Sequence, residues 1–573
     1  MYQAGPRSFF TVLFIGLFAA WALVQFRYIG VPGNNWKDAI NSDGKGYYEY
    51  LRMFLFDGDT TMHPGKGVLH PEIDVPVIKH FGGAAAFMAP FVLVAHVYTL
   101  LKTNPVEDGY SLHYQVAVGL AALAWLLIGL LALRKWLLAC GIADTIVAFV
   151  LAVVTLGTGL IAQAVVHPAM SHVYGFATIA LLMLNTHRLL HEPTARRLIA
   201  CAALLALATW IRPVNFLVVL ALPLASFNDP WNKNALCPLL RSKWAVLAAL
   251  VFAGVVSLQG LLWFLQSGSF IVQPYPYEGF HWLRPEITKG FFSPRNGLFY
   301  YWPLLLLIVP GTVVLWRRSR RSVYWFLLFI VAFVYVTASW WNWAYGDNFG
   351  QRTYLDMLAV FALPLALAIP PARTTRTFLF AIAALFILLN LFQSWQYLTN
   401  LLVTGQMDWP KYKHLFLTTD PQHALAVGGH DELPRYAPHG VQDLPLSFSD
   451  APSVATAFTD ALGFEYASVM HAPLPRAAIG VPLYLELDLE RTEWIPGSTT
   501  DARVGLEIRN HGISRSVYSW RMNLVPNAPA TAHWHYAFNV LAQEEGDTLV
   551  VGATDGKKAW RTKLLGWHAT IPR

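Results

Sequence analysis

The chain has 573 residues, 55% of them hydrophobic and 13% charged, with a mean hydropathy of +0.42. These values lie outside the range of a soluble globular protein. The net charge of +7 is small for this length and gathers in short loops, a topology signal that argues against a nucleic-acid partner.

Apolar runs long enough to cross about 30 Å of hydrocarbon need about 20 residues each. In chain order they fall near 8–28, 111–133, 142–164, 173–189, 197–211, 213–227, 243–265, 298–316, 322–340, 353–371 and 376–396, about eleven spans in all. No small-residue cleavage site follows the first, so it reads as a retained helix. The pair around Trp210-Ile211-Arg212-Pro213 reads as two spans or as one kinked helix. The run 83–101 breaks the alternation if it crosses, and its Pro90 and His96 suit a helix lying in the outer interface.

Lys and Arg in short loops set the orientation. Arg7, Arg134-Lys135, Arg196-Arg197, Lys233 with Arg241 and Lys243, Arg317-Arg318-Arg320-Arg321, and Arg373 with Arg376 all fall on one face when the spans alternate. That face is expected to be cytoplasmic, with the amino end inside and the carboxyl end outside. Cys140, Cys201 and Cys237 map to inner loops or helix ends, so the outer part is expected to hold together without disulfides. Trp (22), Tyr (24) and Phe (35) are abundant, as expected where rings sit at bilayer interfaces. The inner loops are short and carry no glycine-rich phosphate loop, which excludes chemistry driven by cytosolic ATP or nucleotide sugars.

The polar residues collect on the outer face. They lie in the loop 29–110, in His167-Pro168-Ala169-Met170-Ser171-His172, in 266–297, in Trp340–Arg352, and after about 397. Residues 1–396 therefore read as the membrane domain and 397–449 as an outer linker. From about 450 to 573, alternating runs such as Leu483-Tyr484-Leu485-Glu486-Leu487-Asp488-Leu489 predict a β-sandwich. The expected fold class is a mainly α, polytopic membrane protein with a carboxy-terminal β-domain. The aromatics Trp520, Trp534, His535, Tyr536 and Trp567 read as packed core or as a sugar-stacking face.

Asp43 lies in Ser42-Asp43-Gly44-Lys45-Gly46-Tyr47-Tyr48-Glu49, just before a short aromatic-rich helix at the outer mouth. It reads as a helix amino-terminal cap, as a general base, or as a metal ligand. His167 and His172 flank a turn between two spans and read as a metal pair, a phosphate site or backbone-bonded interfacial histidines. Arg352, in Asp347-Asn348-Phe349-Gly350-Gln351-Arg352, sits at the outer start of a span, as a phosphate ligand or an interfacial anchor. Arg295, in Ser293-Pro294-Arg295-Asn296-Gly297, and Lys79-His80 extend the basic rim. Arg212 is the charge within the apolar zone, and such charges mark function; apart from it the spans show few. Tyr47, Tyr48, His80, His167, Asn348 and Gln351 are expected to line the site. One acid beside several cations suits a membrane lipid phosphate that carries a reacting group.

The ordered set Ser42–Tyr48, Gly82–Pro90 with Phe91, Met170–Tyr174, Ile211–Asn215, Phe292–Leu298 and Phe349–Arg352 resembles the bacterial members of the GT-C superfamily of membrane glycosyltransferases. More closely, it resembles a large group of uncharacterised bacterial membrane proteins within that superfamily. The resemblance covers the membrane part and not the β-domain. It implies a polyprenyl-phosphate sugar donor, a glycan or lipid-linked acceptor, surrounding membrane lipids and no nucleic acid. It also implies that Asp43 is the catalytic base. Many members carry two adjacent acids there, whereas this chain has Asp43-Gly44 unless Asp57, Asp59 or Glu49 substitutes. A divalent cation, Mg or Mn, with Asp43 as a ligand, is therefore left open.

The resulting expectation is an inverting glycosyltransferase of a bacterial inner membrane, acting on its periplasmic face. Asp43 would be the base, and Arg352, Arg295, Lys79, His172 and Arg212 the candidate phosphate ligands. The rival readings are a glycolipid flippase, a non-catalytic polysaccharide-binding scaffold, and a polymerase or ligase using a lipid diphosphate.

Overall fold

Apolar runs become straight helices except where proline or glycine interrupts them, and those interruptions shape the site. The computed structural model describes residues 5–29, 35–57, 68–69, 76–102, 109–227, 231–275, 279–346, 348–399, 401–402, 404, 407, 409–420, 440–447, 467–493, 503–510, 513–521, 531–540, 544–554 and 560–572. Contacts divide the chain into one unit of Met1–Phe292 with Gly297–Ser394 and another of Ser293–Asn296 with Trp395–Arg573.

The first unit opens with α1 (Pro6–Val24), α2 (Ser42–Arg52), a small antiparallel pair β1 (Val68–Leu69) and β2 (Pro76–Val77), then α3 (Gly83–Leu100) and α4 (Leu112–Ala139). It continues through α5 (Asp144–Leu156), α6 (Leu160–Val166), α7 (His172–His191), α8 (Ala195–Ile211), a tighter 3₁₀ segment Pro213–Ser226, α9 (Lys233–Leu240) and α10 (Lys243–Ser267). It ends with α11 (Ile287–Phe292), α12 (Leu298–Tyr301), α13 (Ile308–Arg318), α14 (Arg320–Ser339), α15 (Leu358–Leu367) and α16 (Arg373–Leu398).

Among the described residues, 7 helices are long and apolar enough to cross a membrane, or 8 if the bent pair α5–α6 counts as one span. The expected span 142–164 is that pair, bent by 52°. Asn390 of α16 donates to the carbonyls of Leu156 (2.8 Å) and Thr158 (3.0 Å), which satisfies backbone that the bend releases. The expected span 298–316 is broken into α12, a 3₁₀ turn Pro303–Leu307 and α13, because Pro303 has no N–H to give. The helix α3 is continuous through Pro90 and is itself long and apolar enough to cross, so length does not separate a span from the interfacial placement expected of it.

A core of Tyr48, Ala84, Met88, Tyr114, Val118, Tyr174 and Ile211 ties α2, α3, α4, α7 and the end of α8 together. Small residues let helices approach elsewhere too. A Cβ on Gly311 of α13 would overlap the backbone oxygen of Pro364 in α15, and neither backbone can yield cheaply. Gly311→Ala is expected to cost about 1–3 kcal/mol, read as a lower melting temperature in detergent by scanning fluorimetry.

In the second unit, α17 is Trp409–Leu415, and the strands are β3 (Val441–Asp443), β4 (Ala467–Pro473), β5 (Leu483–Glu493), β6 (Arg503–Asn510), β7 (Ile513–Arg521), β8 (Thr531–Val540), β9 (Asp547–Thr554) and β10 (Trp560–Pro572). They form two 4-stranded sheets, ordered β3-β10-β5-β8 and β4-β9-β6-β7. Every pairing is antiparallel. Leu483, Leu485 and Leu487 alternate onto the buried face of one sheet and share a core with Leu506, Ile508, Leu549 and Val551 of the other.

The stretch 397–449, expected as a polar linker with a few helical turns at most, holds the short α17 and the strand β3. β3 pairs with β10, and Lys411 of α17 places its ammonium 3.9 Å from the Tyr518 ring centroid. Hydrophobic patterning did not mark β3 because a three-residue strand shows no period. Trp567 is exposed, while the side chains of Trp520, Trp534, His535 and Tyr536 lie outside the described residues, as do Asp59 and the side chain of Asp57.

Candidate active site

Asp43 is placed by an unusual helix start. Ser42 has a φ of 48°, in the left-handed region that is costly for a residue with a side chain. The Asn41 side chain makes no capping bond, and Asp43 does not cap the helix either. It occupies the first turn of α2, where a carboxylate also meets the positive end of the helix dipole. The alternating glycines explain how this helix fits. A Cβ on Gly44 would stand 2.8 Å from that of Ala169, and one on Gly46 would overlap the His80 ring. The two tyrosines that follow are packed in turn. The Tyr47 ring packs 4.8 Å from His80, and the buried Tyr48 hydroxyl donates to the Gly109 carbonyl at 2.6 Å.

The Asp43 carboxylate faces cations. Its Oδ2 accepts from Arg352 Nη2 at 2.8 Å, and its Oδ1 lies 3.6 Å from His80 Nε2. Burial works to raise the Asp43 pKa, but Arg352, with His80 and Lys79 behind it, outweighs burial and holds the carboxyl well below its usual range. Asp43 is therefore ionised at neutral pH.

Lys79 and His80 reach the site because glutamines of α10 hold the segment that follows β2. Gln266 accepts from the Ile78 amide (2.8 Å) and Gln259 from the Gly82 amide (2.8 Å). The Tyr50 hydroxyl donates to the His80 carbonyl at 2.7 Å and accepts from Gln259 Nε2 at 3.0 Å.

Arg212 marks the break between α8 and the 3₁₀ segment. Its backbone is extended, with φ −153° and ψ 123°, as expected of a residue before proline. Gly83 lets α3 press against the Trp210–Ile211 backbone at this point, where a Cβ would overlap it. Below Arg212 lies Asp356, which is fully buried. Its Oδ1 is 2.7 Å from His172 Nδ1 and 3.7 Å from Arg212 Nη1, and its Oδ2 accepts from Asn215 Nδ2 at 2.8 Å.

Asp43, Tyr47, Lys79, His80, Arg212 and Arg352 line one cavity of about 520 Å³. Tyr275, Phe280, Trp340, Trp341 and Tyr345 give the lining an aromatic part, beside aliphatic and polar residues such as Val214, Val336 and Asn342. The Trp340 ring centroid is 5.7 Å from that of Tyr275 and 4.9 Å from that of Phe280. The Lys79 ammonium lies 5.5 Å from the Tyr275 ring centroid, so cations able to meet an anion and rings able to stack on a sugar share the cavity.

The other predicted residues stand elsewhere. Tyr48 is buried below the site. Asn348 is buried and turns its amide onto loop carbonyls, 3.2 Å from Tyr345 O, while Gln351 donates to the Trp343 carbonyl at 3.0 Å. These bonds fold the loop that carries Arg352. His167 is not among the residues lining the cavity, and His172 lies beneath it as a partner of Asp356. Arg295 groups by contact with the second unit.

Glu49 is no second acid for Asp43. Its carboxylate bonds Arg52 at 2.9 Å and accepts from the Tyr110 hydroxyl at 2.7 Å. Among the described residues no group of three or more His, Cys, Asp or Glu is placed to hold a metal. Among the described residues the side chains flanking Asp43 are Arg352, His80 and Lys79, none of them an oxygen donor such as Mg²⁺ or Mn²⁺ prefers. Sequence reasoning missed Asp356, although an acid within the apolar run 353–371 was the available signal.

No protein-family model and no curated protein matches the chain. Among solved structures it is similar to the oligosaccharyltransferase of Archaeoglobus fulgidus in complex with zinc and sulfate, with 14% identity, a TM-score of 0.39, and coverage of 71% of this chain and 56% of that one. It is also similar to the archaeal oligosaccharyltransferase AglB of the same organism in complex with an inhibitory peptide and a dolichol-phosphate, with 12% identity, a TM-score of 0.38, and coverage of 72% and 59%. A third likeness is to the arabinosyltransferase EmbB of Mycobacterium smegmatis, with 13% identity, a TM-score of 0.36, and coverage of 100% and 65%. The chain thus spans less than two thirds of the length of each of these three structures.

Proposed function

We propose that this protein is an inverting membrane glycosyltransferase of the GT-C type that moves a sugar from a polyprenyl phosphate to an acceptor hydroxyl on the periplasmic face of a bacterial inner membrane. The observation that carries the reading is the pairing of Asp43 with Arg352 inside one cavity that Lys79, His80 and Arg212 also line. An acid able to take a proton and cations able to hold a phosphate share one reaction space. The ordered motifs of the membrane part support the same class, and the positive loops support the side.

Asp43 accepts the proton of the acceptor hydroxyl. The acceptor oxygen attacks the anomeric carbon from the side opposite the phosphate, and the bond from that carbon to the phosphate oxygen breaks. The electron pair leaves with the polyprenyl phosphate, whose added negative charge Arg352, Lys79 and Arg212 stabilise. Attack from the opposite side inverts the anomeric centre. A covalent intermediate would need a second carboxylate in the cavity, and Asp43 is the lone acid among its described lining residues.

The donor also activates the base. Its phosphate competes with Asp43 for Arg352, and losing that partner raises the basicity of Asp43 as the acceptor arrives. The sugar ring rests on the Tyr275 and Trp340 side of the cavity. The isoprenoid tail follows an apolar groove of about 480 Å³ lined by residues including Phe299, Ile308, Val313, Phe326 and Val334. α14 is common to both spaces, with Val334 in the groove and Val336 and Thr337 in the cavity. The β-domain would bind or present the acceptor glycan.

The test is transfer of radiolabelled sugar by the purified protein from a panel of short-chain polyprenyl-phosphate sugars. Label on an acceptor with inverted configuration supports the reading and names the sugar. Saturable binding of the lipid phosphate with no turnover on any donor and acceptor would overturn it in favour of a flippase. Gly46→Ala, which drives a methyl group into His80, is expected to lower kcat about 10- to 100-fold through misplacement of the groups around Asp43, measured with the donor identified in that panel.

A further inference from the structure

We propose that Asp356 is a positioning residue whose buried carboxylate aims the Arg212 guanidinium at the donor phosphate; this rests on the glycosyl-transfer reading above. Asp356 is 0% exposed and Arg212 17%, so the pair runs from the protein interior to the cavity wall. A carboxylate in such a place is costly unless paired, and an apolar side chain would fill the same space at least as well. Its contacts with Arg212, His172 and Asn215 point to a role in the chemistry of its partners.

The carboxylate is held on several sides. Asn215 donates to Oδ2 at 2.8 Å, and His172 Nδ1 stands 2.7 Å from Oδ1. Gly175, one turn of α7 beyond His172, leaves just enough room, since a Cβ there would overlap Oδ2. Arg212 Nη1 approaches the same side, 3.7 Å from Oδ1 and 3.2 Å from His172 Nδ1. The imidazole nitrogen cannot donate to the carboxylate and accept from the guanidinium at once. The shorter contact assigns the proton on Nδ1 to Asp356. Arg212 is then oriented by the charge of Asp356 and not by a hydrogen bond to His172.

A guanidinium carries five N–H donors in a rigid fork, so one edge held toward Asp356 leaves the other to meet phosphate oxygens. Without the carboxylate, Arg212 would lose that aim, and Asp43 in the same cavity would compete for it. Asp356 acts through Arg212 and is not expected to touch the substrate.

The experiment is a binding cycle on the purified full-length protein, with a short-chain polyprenyl monophosphate as the probe. Asp356→Asn is expected to weaken binding about tenfold. In an Arg212→Ala background the same substitution should weaken it no further, because the residue it acts through is gone. In an Arg352→Ala background the loss should multiply, since Arg352 is positioned by a separate loop. A structural role alone would weaken binding by the same factor in both backgrounds, and that result overturns the proposal, as does unchanged binding in Asp356→Asn.

Should Asp356→Asn fail to fold, Asn215→Leu serves instead. It keeps the charge and frees one oxygen, and about a threefold loss is expected, with the same dependence on Arg212. Wild-type protein that does not bind the probe overturns the glycosyl-transfer reading itself. Binding by wild type with uncoupled variants overturns the positioning role alone.

Discussion

Asp43→Asn is expected to lower kcat by about 10³-fold, within the range assigned to a positioned general base, while leaving donor affinity the same or tighter. The direction of the second effect makes the prediction specific. In the free protein Asp43 occupies the Arg352 guanidinium through a 2.8 Å bond. An amide is a weaker partner, so the substitution releases Arg352 for the donor phosphate. Single-turnover transfer and lipid-phosphate binding, measured side by side, separate the two. A parallel fall in both would mean that Asp43 binds substrate and does not serve as the base, and full activity would dismiss the mechanism.

Arg352→Ala should act on the opposite side of the same contact. Losing a charge-assisted, forked interaction with phosphate costs about 1.5–3 kcal/mol, roughly a 10- to 100-fold rise in the donor Kd. Arg352→Lys should fall between, because a point charge keeps attraction and loses the fork. The pH profile gives an independent readout. Arg352 is the leading influence holding the Asp43 pKa down against burial, so its removal raises that pKa. Activity needs ionised Asp43 and is lost as pH falls through its pKa. The acid limb of kcat/KM should therefore move to higher pH in Arg352→Ala.

Stability follows the same sign. A carboxyl depressed in the folded state contributes stability that is present above its unfolded value of about 3.9 and lost as pH falls through the lower folded value. Arg352→Ala removes that contribution, so the difference in melting temperature between wild type and variant should narrow as pH is lowered.

How much of the site was legible depends on what each residue's signal was. Asp43, Lys79, His80, Arg212 and Arg352 stood out because a charge next to or within an apolar run is expensive there, and all of them line the cavity. Pro213 announced the extended backbone at Arg212, and the break is where expected. Tyr48, Asn348 and Gln351 are not among the residues lining the cavity, for a shared reason. Each is polar and near the motif, but which way a side chain turns depends on neighbours far along the chain, and these three turn onto backbone carbonyls. The bend of α5–α6 was hidden as well, since the carbonyls it frees are satisfied by Asn390, more than 200 residues later.

The sequence alone determined the multi-pass membrane class, the positions of most apolar helices, the gathering of Lys and Arg in short loops and the acid just ahead of the aromatic-rich helix. Those properties follow from composition and local periodicity, which act over one or two helical turns. Only the tertiary structure decided that Asp43 meets Arg352 across a separation of 309 residues. It alone decided that Glu49 is tied to Arg52 and Tyr110, and that Asp356 lies beneath Arg212. Electrostatic pairing and packing act through space, and no local pattern of apolar and polar residues records which distant groups the folded helices bring within a few ångströms.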